Sequence, residues 1–275
     1  MTLNKDFTIS EYRSLLLAFR QAGYRFIPFG DVCDFADGQR EPSSLGYRYV
    51  MLRHDVDLRA ANSLQTAQVE HELGIRASYY FRVIPQSNQP DIIRSIAALG
   101  HEIGYHYEDM SLTDGNIAEA LAHFEKWLAY FRQFYPVRTI CMHGAPTSRY
   151  DGRDLWKTKS YRDYGIIGEP YFDIDFNKVF YLTDTGRRWD GYRVSVRDKV
   201  KQQEQWIREG RTFHATDDII RCLTDGTFER KIGDAVMVTT HPQRWTDDIL
   251  PWMREYILQS LKNSVKRILL WAKKY

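Results

Sequence analysis

Apolar residues recur along the chain with two periods, one near 3.6 residues and one near two. After Ser10 the stretch "EYRSLLLAFRQAGY" carries them at helical spacing and ends at Gly23, which predicts a helix with a glycine past its C-terminus. The Gly-, Pro- and Ser-rich "DFADGQREPSSLG" predicts a loop. Beyond it, "YRYVMLRHDV" reads as a strand and "RAANSLQTAQVEHELG" as a helix closed by Gly74. The same alternation continues. "RASYYFRV" is a strand, "QPDIIRSIAALG" a helix, "HEIGYHY" a short extended segment, and "NIAEALAHFEKWLAYFRQF" a long amphipathic helix. "VRTICMHG" is again a strand. In the less periodic stretch 150–235, "YGIIGEP" and "KVFYLTD" are expected as strands and "ATDDIIRCLTDG" as a helix. "AVMVTTHP" is a strand stopped by Pro242, and a long helix containing Pro251 closes the chain.

Strands separated by helices call for a parallel sheet. About seven of them over this length suit a distorted (β/α) barrel within one α/β domain. Residues 1–47 are expected to pack on that barrel as a helix and loop, and 48–275 to form it. No internal repeat interrupts the pattern. No strand is followed by G-x-G-x-x-G or a Walker-type loop, which argues against dinucleotide and NTPase folds.

Composition narrows the class without choosing the chemistry. At 275 residues, 43% hydrophobic and 27% charged, the chain reads as globular. A net charge of +2 leaves no electrostatic footprint for nucleic acid, and the basic tail "SVKRILLWAKKY" reads as a solvated amphipathic helix rather than a nucleic-acid or membrane patch. Cys33, Cys141 and Cys222 are odd in number and far apart, which fits neither a disulfide framework nor a zinc ribbon and points to a reducing compartment. With no apolar run of spanning length and no leader-like start, a cytoplasmic protein without a transmembrane segment is expected.

The polar residues carry the functional reading. Predicted strands end at "HDVD", "YHYED", "MHG" and "THP". In a (β/α) barrel those ends converge on one face, where side chains from different strands meet. Asp55 and Asp57 lie two apart and would point to the same side, so one carboxylate can hold a metal while the other takes a proton. His106, His143 and His241 supply imidazoles for a divalent ion or a general acid. His71, His123 and His214 fall in or beside helices and His101 at the far end of its strand, and none of these is assigned chemistry.

In their order, "RHDVD", "GHEIGYH" and "VTTHP" resemble the polysaccharide deacetylase superfamily, the carbohydrate esterase family four (NodB-homology) type. The resemblance implies Asp55 as general base, Asp57 and His106 as metal ligands and His241 as catalytic acid. It also implies a substrate-side role for Asp184 and Trp189 in "YLTDTGRRWDG". Two positions depart from the pattern. Where the family carries a second ligand His, this chain has Met110, and a thioether is a poor ligand for such ions. His143 from the neighbouring strand end is the preferred substitute over Glu108, which is then expected to line the substrate site. The Arg-Pro motif that orients the base is missing, which leaves Arg53 or Arg188 for that task.

These residues imply a divalent metal, expected to be zinc, and an N-deacetylase acting on an N-acetylated sugar, either nucleotide- or lipid-linked. Trp189 and Trp245 are candidates for stacking on the ring. A non-catalytic carbohydrate-binding relative, and a metal-dependent hydrolase of another amide or C–N bond, remain as alternatives.

Overall fold

The computed structural model describes residues 5–37, 47–145, 148–189 and 199–272, with side chains to 264. Its strands are β1 (Tyr24–Phe26), β2 (Arg48–Val56), β3 (Ser78–Phe81), β4 (Glu102–Tyr107), β5 (Ile140–Met142), β6 (Phe180–Thr183) and β7 (Ala235–Thr240). The helices are α1 (Ile9–Gln21), α2 (Phe29–Asp37), α3 (Ala60–Glu72), α4 (Pro90–Ala98), α5 (Asp109–Leu112), α6 (Ile117–Phe131), α7 (Pro170–Asp173), α8 (Gln203–Arg208), α9 (Thr216–Thr224), α10 (Phe228–Ile232) and α11 (Ile249–Ala272). All pairings are parallel. The sheet runs β5-β4-β3-β2-β7-β6, and β1 adds a seventh strand beside the start of β2. Among the described residues no pairing joins β5 to β6, so the curled sheet forms a half-barrel rather than a closed ring.

Three details differ from the sequence reading. Tyr24–Phe26 is a strand too short to show a period, and Phe29–Asp37 is helical where a loop was expected from Asp34 onward. The helix is possible there because Ser78 and Glu102 accept from the free amides of Phe29 and Gly30 at its first turn. The segment Tyr164–Pro170 makes only one parallel bridge, Thr139 to Gly168, before Pro170 starts α7.

Burial on both faces explains why the strands read as near-continuous apolar runs. The pleat divides the residues of β2. Arg53 meets Met237 and Tyr171 inside the half-barrel, whereas His54 faces α1 and α3 through Tyr12 and Glu70. Gly104 shows how tight the interior is. A Cβ there would stand 2.4 Å from Tyr80 Cδ1 and 2.9 Å from the Thr139 carbonyl oxygen, so glycine lets the Tyr80 ring cross β4 and its hydroxyl reach Thr139 Oγ1 at 3.0 Å.

On the helix side of β2 lies a closed polar network. Glu70 accepts from His54 Nε2 (2.8 Å), from the Tyr79 hydroxyl (2.9 Å) and from the Tyr12 hydroxyl. His54 Nδ1 pairs with the Thr240 hydroxyl at 2.7 Å. His101 Nδ1 accepts from the Ala77 amide and Nε2 donates to the Ala67 carbonyl. Glu70, His54 and His101 are fully buried.

Candidate metal and acid–base site

Strand register brings the predicted residues together. On the interior face Asp55 pairs with Tyr80 and Tyr80 with Gly104, while His106 pairs with Cys141. Two residues past Asp55, Asp57 therefore stands level with His106, and His143 stands one pleat repeat beyond Cys141. The His143 amide still donates to the Tyr107 carbonyl (2.8 Å), which keeps it in line with β4 after β5 has ended.

Asp57, His106 and His143 offer ligand atoms that all lie within 4.8 Å of one another. Asp57 Oδ1 sits 3.2 Å from His143 Nδ1 and 3.6 Å from His106 Nε2. That oxygen is buried and has no hydrogen-bond donor directed at it. A buried carboxylate oxygen without a donor is costly unless a cation completes it, and two imidazole nitrogens beside it make a donor set suited to a borderline divalent ion. Burial alone would raise the Asp57 carboxyl; His143, His241 and His106 around it outweigh that and hold it well below the usual carboxylate range. Burial also pushes His106 down to about 4, so its imidazole is neutral and free to ligate. Its Nδ1 donates to the Cys141 carbonyl at 2.9 Å, so Nε2 faces His143 Nδ1 (3.2 Å) and, beyond it, Asp57 Oδ1.

Asp55 is held apart from this trio. Arg53 grips it with two hydrogen bonds, Nε to Oδ1 (2.9 Å) and Nη2 to Oδ2 (2.7 Å), and the Arg53 guanidinium in turn donates to the Tyr171 hydroxyl (3.1 Å). Of the two arginines left open by the sequence, Arg53 is thus the one that orients Asp55; Arg188 contacts His214 instead. Asp55 Oδ2 remains 3.8 Å from His106 Nε2, close enough to face anything bound there.

His241 closes the opposite side. Pro242 favours extended backbone at the residue before it, and His241 indeed keeps φ −117° and ψ 101°. The turn Pro242–Arg244 then brings Arg244 Nη1 back to 2.7 Å from His241 Nδ1. Asp184 accepts from His241 Nδ1 (2.6 Å), the His241 amide (2.9 Å), Trp245 Nε1 (2.8 Å) and Arg244. His241 Nε2 is left facing the trio, 3.9 Å from Asp57 Oδ2. Burial and Arg244 push the His241 pKa down, but Asp184 and Asp57 outweigh them and it is raised above the ordinary histidine value.

The substrate-side expectations fare differently. Asp184 is fully buried and its oxygens are taken up by His241, Trp245 and Arg244, an arrangement that positions His241. Trp189 is not brought to the cluster: it is buried, donates to Thr216 Oγ1 (2.9 Å) and packs on Phe7 and Trp245. Trp245 is likewise fully buried. Glu108 is paired twice with Arg82 (2.7 and 2.8 Å) and lies 3.9 Å from His143 Nε2. Met110 is buried in the core. Arg82, Gln243 and Arg244 were missed; "HPQRW" invites attention to Arg244 only once the turn after Pro242 is known to fold back.

No family model matches the chain, and no curated protein matches it either. Among solved structures, the Streptococcus pyogenes deacetylase PplD in complex with acetate is similar at 13% identity and a TM-score of 0.43, covering 54% of this chain and 66% of that one. Wild-type BA3943, a CE4 family pseudoenzyme from Bacillus anthracis, is similar at 14% identity and 0.42, covering 80% and 64%. A family 4 carbohydrate esterase from Streptomyces lividans in complex with acetate is similar at 15% identity and 0.39, covering 78% and 90%. The chain spans less than two thirds of the length of the first two. Likenesses this distant say nothing about chemistry.

Proposed function

We propose that the chain is a divergent relative of the polysaccharide deacetylases: a metal-dependent amide hydrolase that removes acetyl from an N-acetylated sugar, in the cytoplasm, on a nucleotide- or lipid-linked precursor. The observation that carries this reading is the orphaned Oδ1 of Asp57 between His106 and His143, with a held carboxylate on one side and a held imidazole on the other.

Asp57, His106 and His143 would hold the ion, with zinc the best match to one carboxylate and two imidazoles. Such an ion, when bound, supplies Lewis acidity toward a carbonyl oxygen and lowers the pKa of water. The remaining work falls to the chain. Asp55, fixed by Arg53, is oriented to accept a proton from the attacking water. Tyr171 and the buried Arg53 restrict Asp55 to that orientation. His241 is oriented by Asp184 through Nδ1, so that Nε2 can give a proton to the departing amine, which is a poor leaving group until protonated.

The test is acetate release from a panel of N-acetylhexosamine derivatives by metal-loaded protein. Release that depends on added zinc and disappears in Asp55→Asn supports the reading. No release under any divalent ion, together with retained sugar binding, favours the non-catalytic alternative.

A further inference from the structure

The last helix leaves an apolar stripe in solvent. Leu250, Met253, Ile257 and Leu261 follow one another at intervals of three and four on one face of α11, and are 75%, 47%, 53% and 60% exposed. The opposite face is anchored: Asn263 donates to the Gly186 carbonyl (2.9 Å), and Trp252 Nε1 to the Asp6 carbonyl (2.7 Å). Beneath the helix an apolar groove of about 550 Å³, lined by Phe7, Trp252, Met253 and Ile257, adjoins a polar cavity of about 310 Å³ bordered by Arg188, Ser260 and Ser264. Arg187, His214 and Tyr256 line both.

Arg187 is the unusual member. Its guanidinium lies 5.1 Å from the centre of the Phe7 ring and 4.9 Å from that of Trp252, is nine-tenths buried, and leaves Nη1 without an acceptor. Nη2 donates to the Asp6 carbonyl (3.2 Å), so it is the unpaired Nη1 alone that marks a place where an anionic oxygen would be stabilised. On the described part of α11, Arg254 and Lys262 stand against Glu255, and Arg187 and Arg188 add two more cations at the cavity. Exposed apolar stripe, basic surroundings and a cationic cavity beside an apolar groove are together the recognition chemistry of an anionic amphiphile. A second copy of the chain would bring the same excess of positive charge to the contact and is disfavoured.

We propose that this face docks on an anionic phospholipid surface, with a headgroup phosphate entering the Arg187–Arg188–His214 cavity and the stripe of α11 entering the interfacial layer. No helix of the described residues is long and apolar enough to cross a membrane. The inference is independent of the hydrolase reading, since none of these residues belongs to the metal and acid–base site.

The experiment is sedimentation of the full chain with phosphatidylcholine vesicles, with and without phosphatidylglycerol, at low and high salt. Binding should require phosphatidylglycerol and weaken with salt. Leu250→Glu with Leu261→Glu, both at exposed positions, should cut it at least about tenfold, because apolar surface no longer enters the interface. Arg188→Gln should cut it by about fivefold, and Arg187→Gln likewise in protein that melts as wild type. Equal binding to neutral vesicles, or no effect of the leucine pair, overturns the proposal. So does protection by inorganic phosphate alone without vesicle binding, which would assign a free phosphate. Self-association abolished by the leucine pair, again without vesicle binding, would assign the face to a second copy.

Discussion

Two clusters of histidine and carboxylate lie back to back on β2, separated only by the pleat. On the helix side, Glu70 gathers His54, Tyr12 and Tyr79, and His101 has both ring nitrogens engaged by backbone. On the interior side, Asp57, His106 and His143 crowd together and leave Asp57 Oδ1 without a donor. Residue types barely distinguish the two. What separates them is satisfaction and access: Glu70 is fully buried, whereas the side chains of Asp57 and His143 are 18% and 14% exposed. A closed network stabilises the fold, and an incomplete one at a mouth is available to a ligand.

The largest expected change is on the interior side. Asp55→Asn should lower turnover by about 10²–10⁴-fold, the usual contribution of a positioned base, while metal content stays near wild type. Loss of the metal along with activity would mean that Asp55 is a ligand and the two sides of the site have been misassigned.

Glu70→Ala should act the other way. Removing the shared acceptor strands His54 and two buried hydroxyls, at a cost of about 3–5 kcal/mol in denaturant melts, yet folded protein should still bind metal. A variant that kept its stability but lost metal would erase the distinction between the clusters.

Gly104→Ala sharpens the geometry by a smaller amount. Its Cβ would meet the Tyr80 ring, and overpacking of this kind costs about 1–3 kcal/mol. Adding Tyr80→Phe leaves the ring in place and should not relieve it, whereas Tyr80→Leu should relieve the part due to the ring and leave the part due to the Thr139 carbonyl. Equal stability in all three contexts would place the strain elsewhere.

The smallest effect is a pH dependence. Burial would raise the Glu70 carboxyl, but His54, His101 and the Tyr12 hydroxyl hold it below its ordinary value. A carboxylate with a depressed native pKa stabilises the fold above its unfolded pKa, and that contribution is lost as pH falls through the native value. Between about pH 5 and 3, wild type should therefore lose more stability than Glu70→Gln. Parallel curves would show that Glu70 is not the group that titrates.

Much of this site was legible before any coordinates, and the reason is local. Asp55, Asp57, His106, His143 and His241 all sit at or just past strand ends, where alternation and the next helix's onset mark their position within a few residues. A parallel sheet then does the rest by aligning those ends. Arg53 was identifiable only as one of two arginines, because its choice of Asp55 depends on the pleat of β2. What could not be read is pairing over long separations. Asp184 reaches His241 across 57 residues and Arg82 reaches Glu108 across 26, with no periodic signal linking either pair. Over that distance nothing in the residue pattern marks Asp184 as buried against His241. Trp189 poses a related difficulty: an aromatic beside a polar turn looks alike in sequence whether it faces a ligand or, as here, packs beside Phe7 and Trp245.

Metal binding to protein first stripped by chelator tests the central claim most directly. Calorimetry with zinc should give one site per chain. Binding should weaken at least about tenfold in His143→Ala, a loss even outer-shell partners produce, and also in Asp57→Asn and His106→Ala, while Glu70→Gln and Glu108→Gln bind as wild type. Zinc bound equally well by all six proteins, or bound by none, would contradict the assignment of Asp57, His106 and His143 as the ligand set.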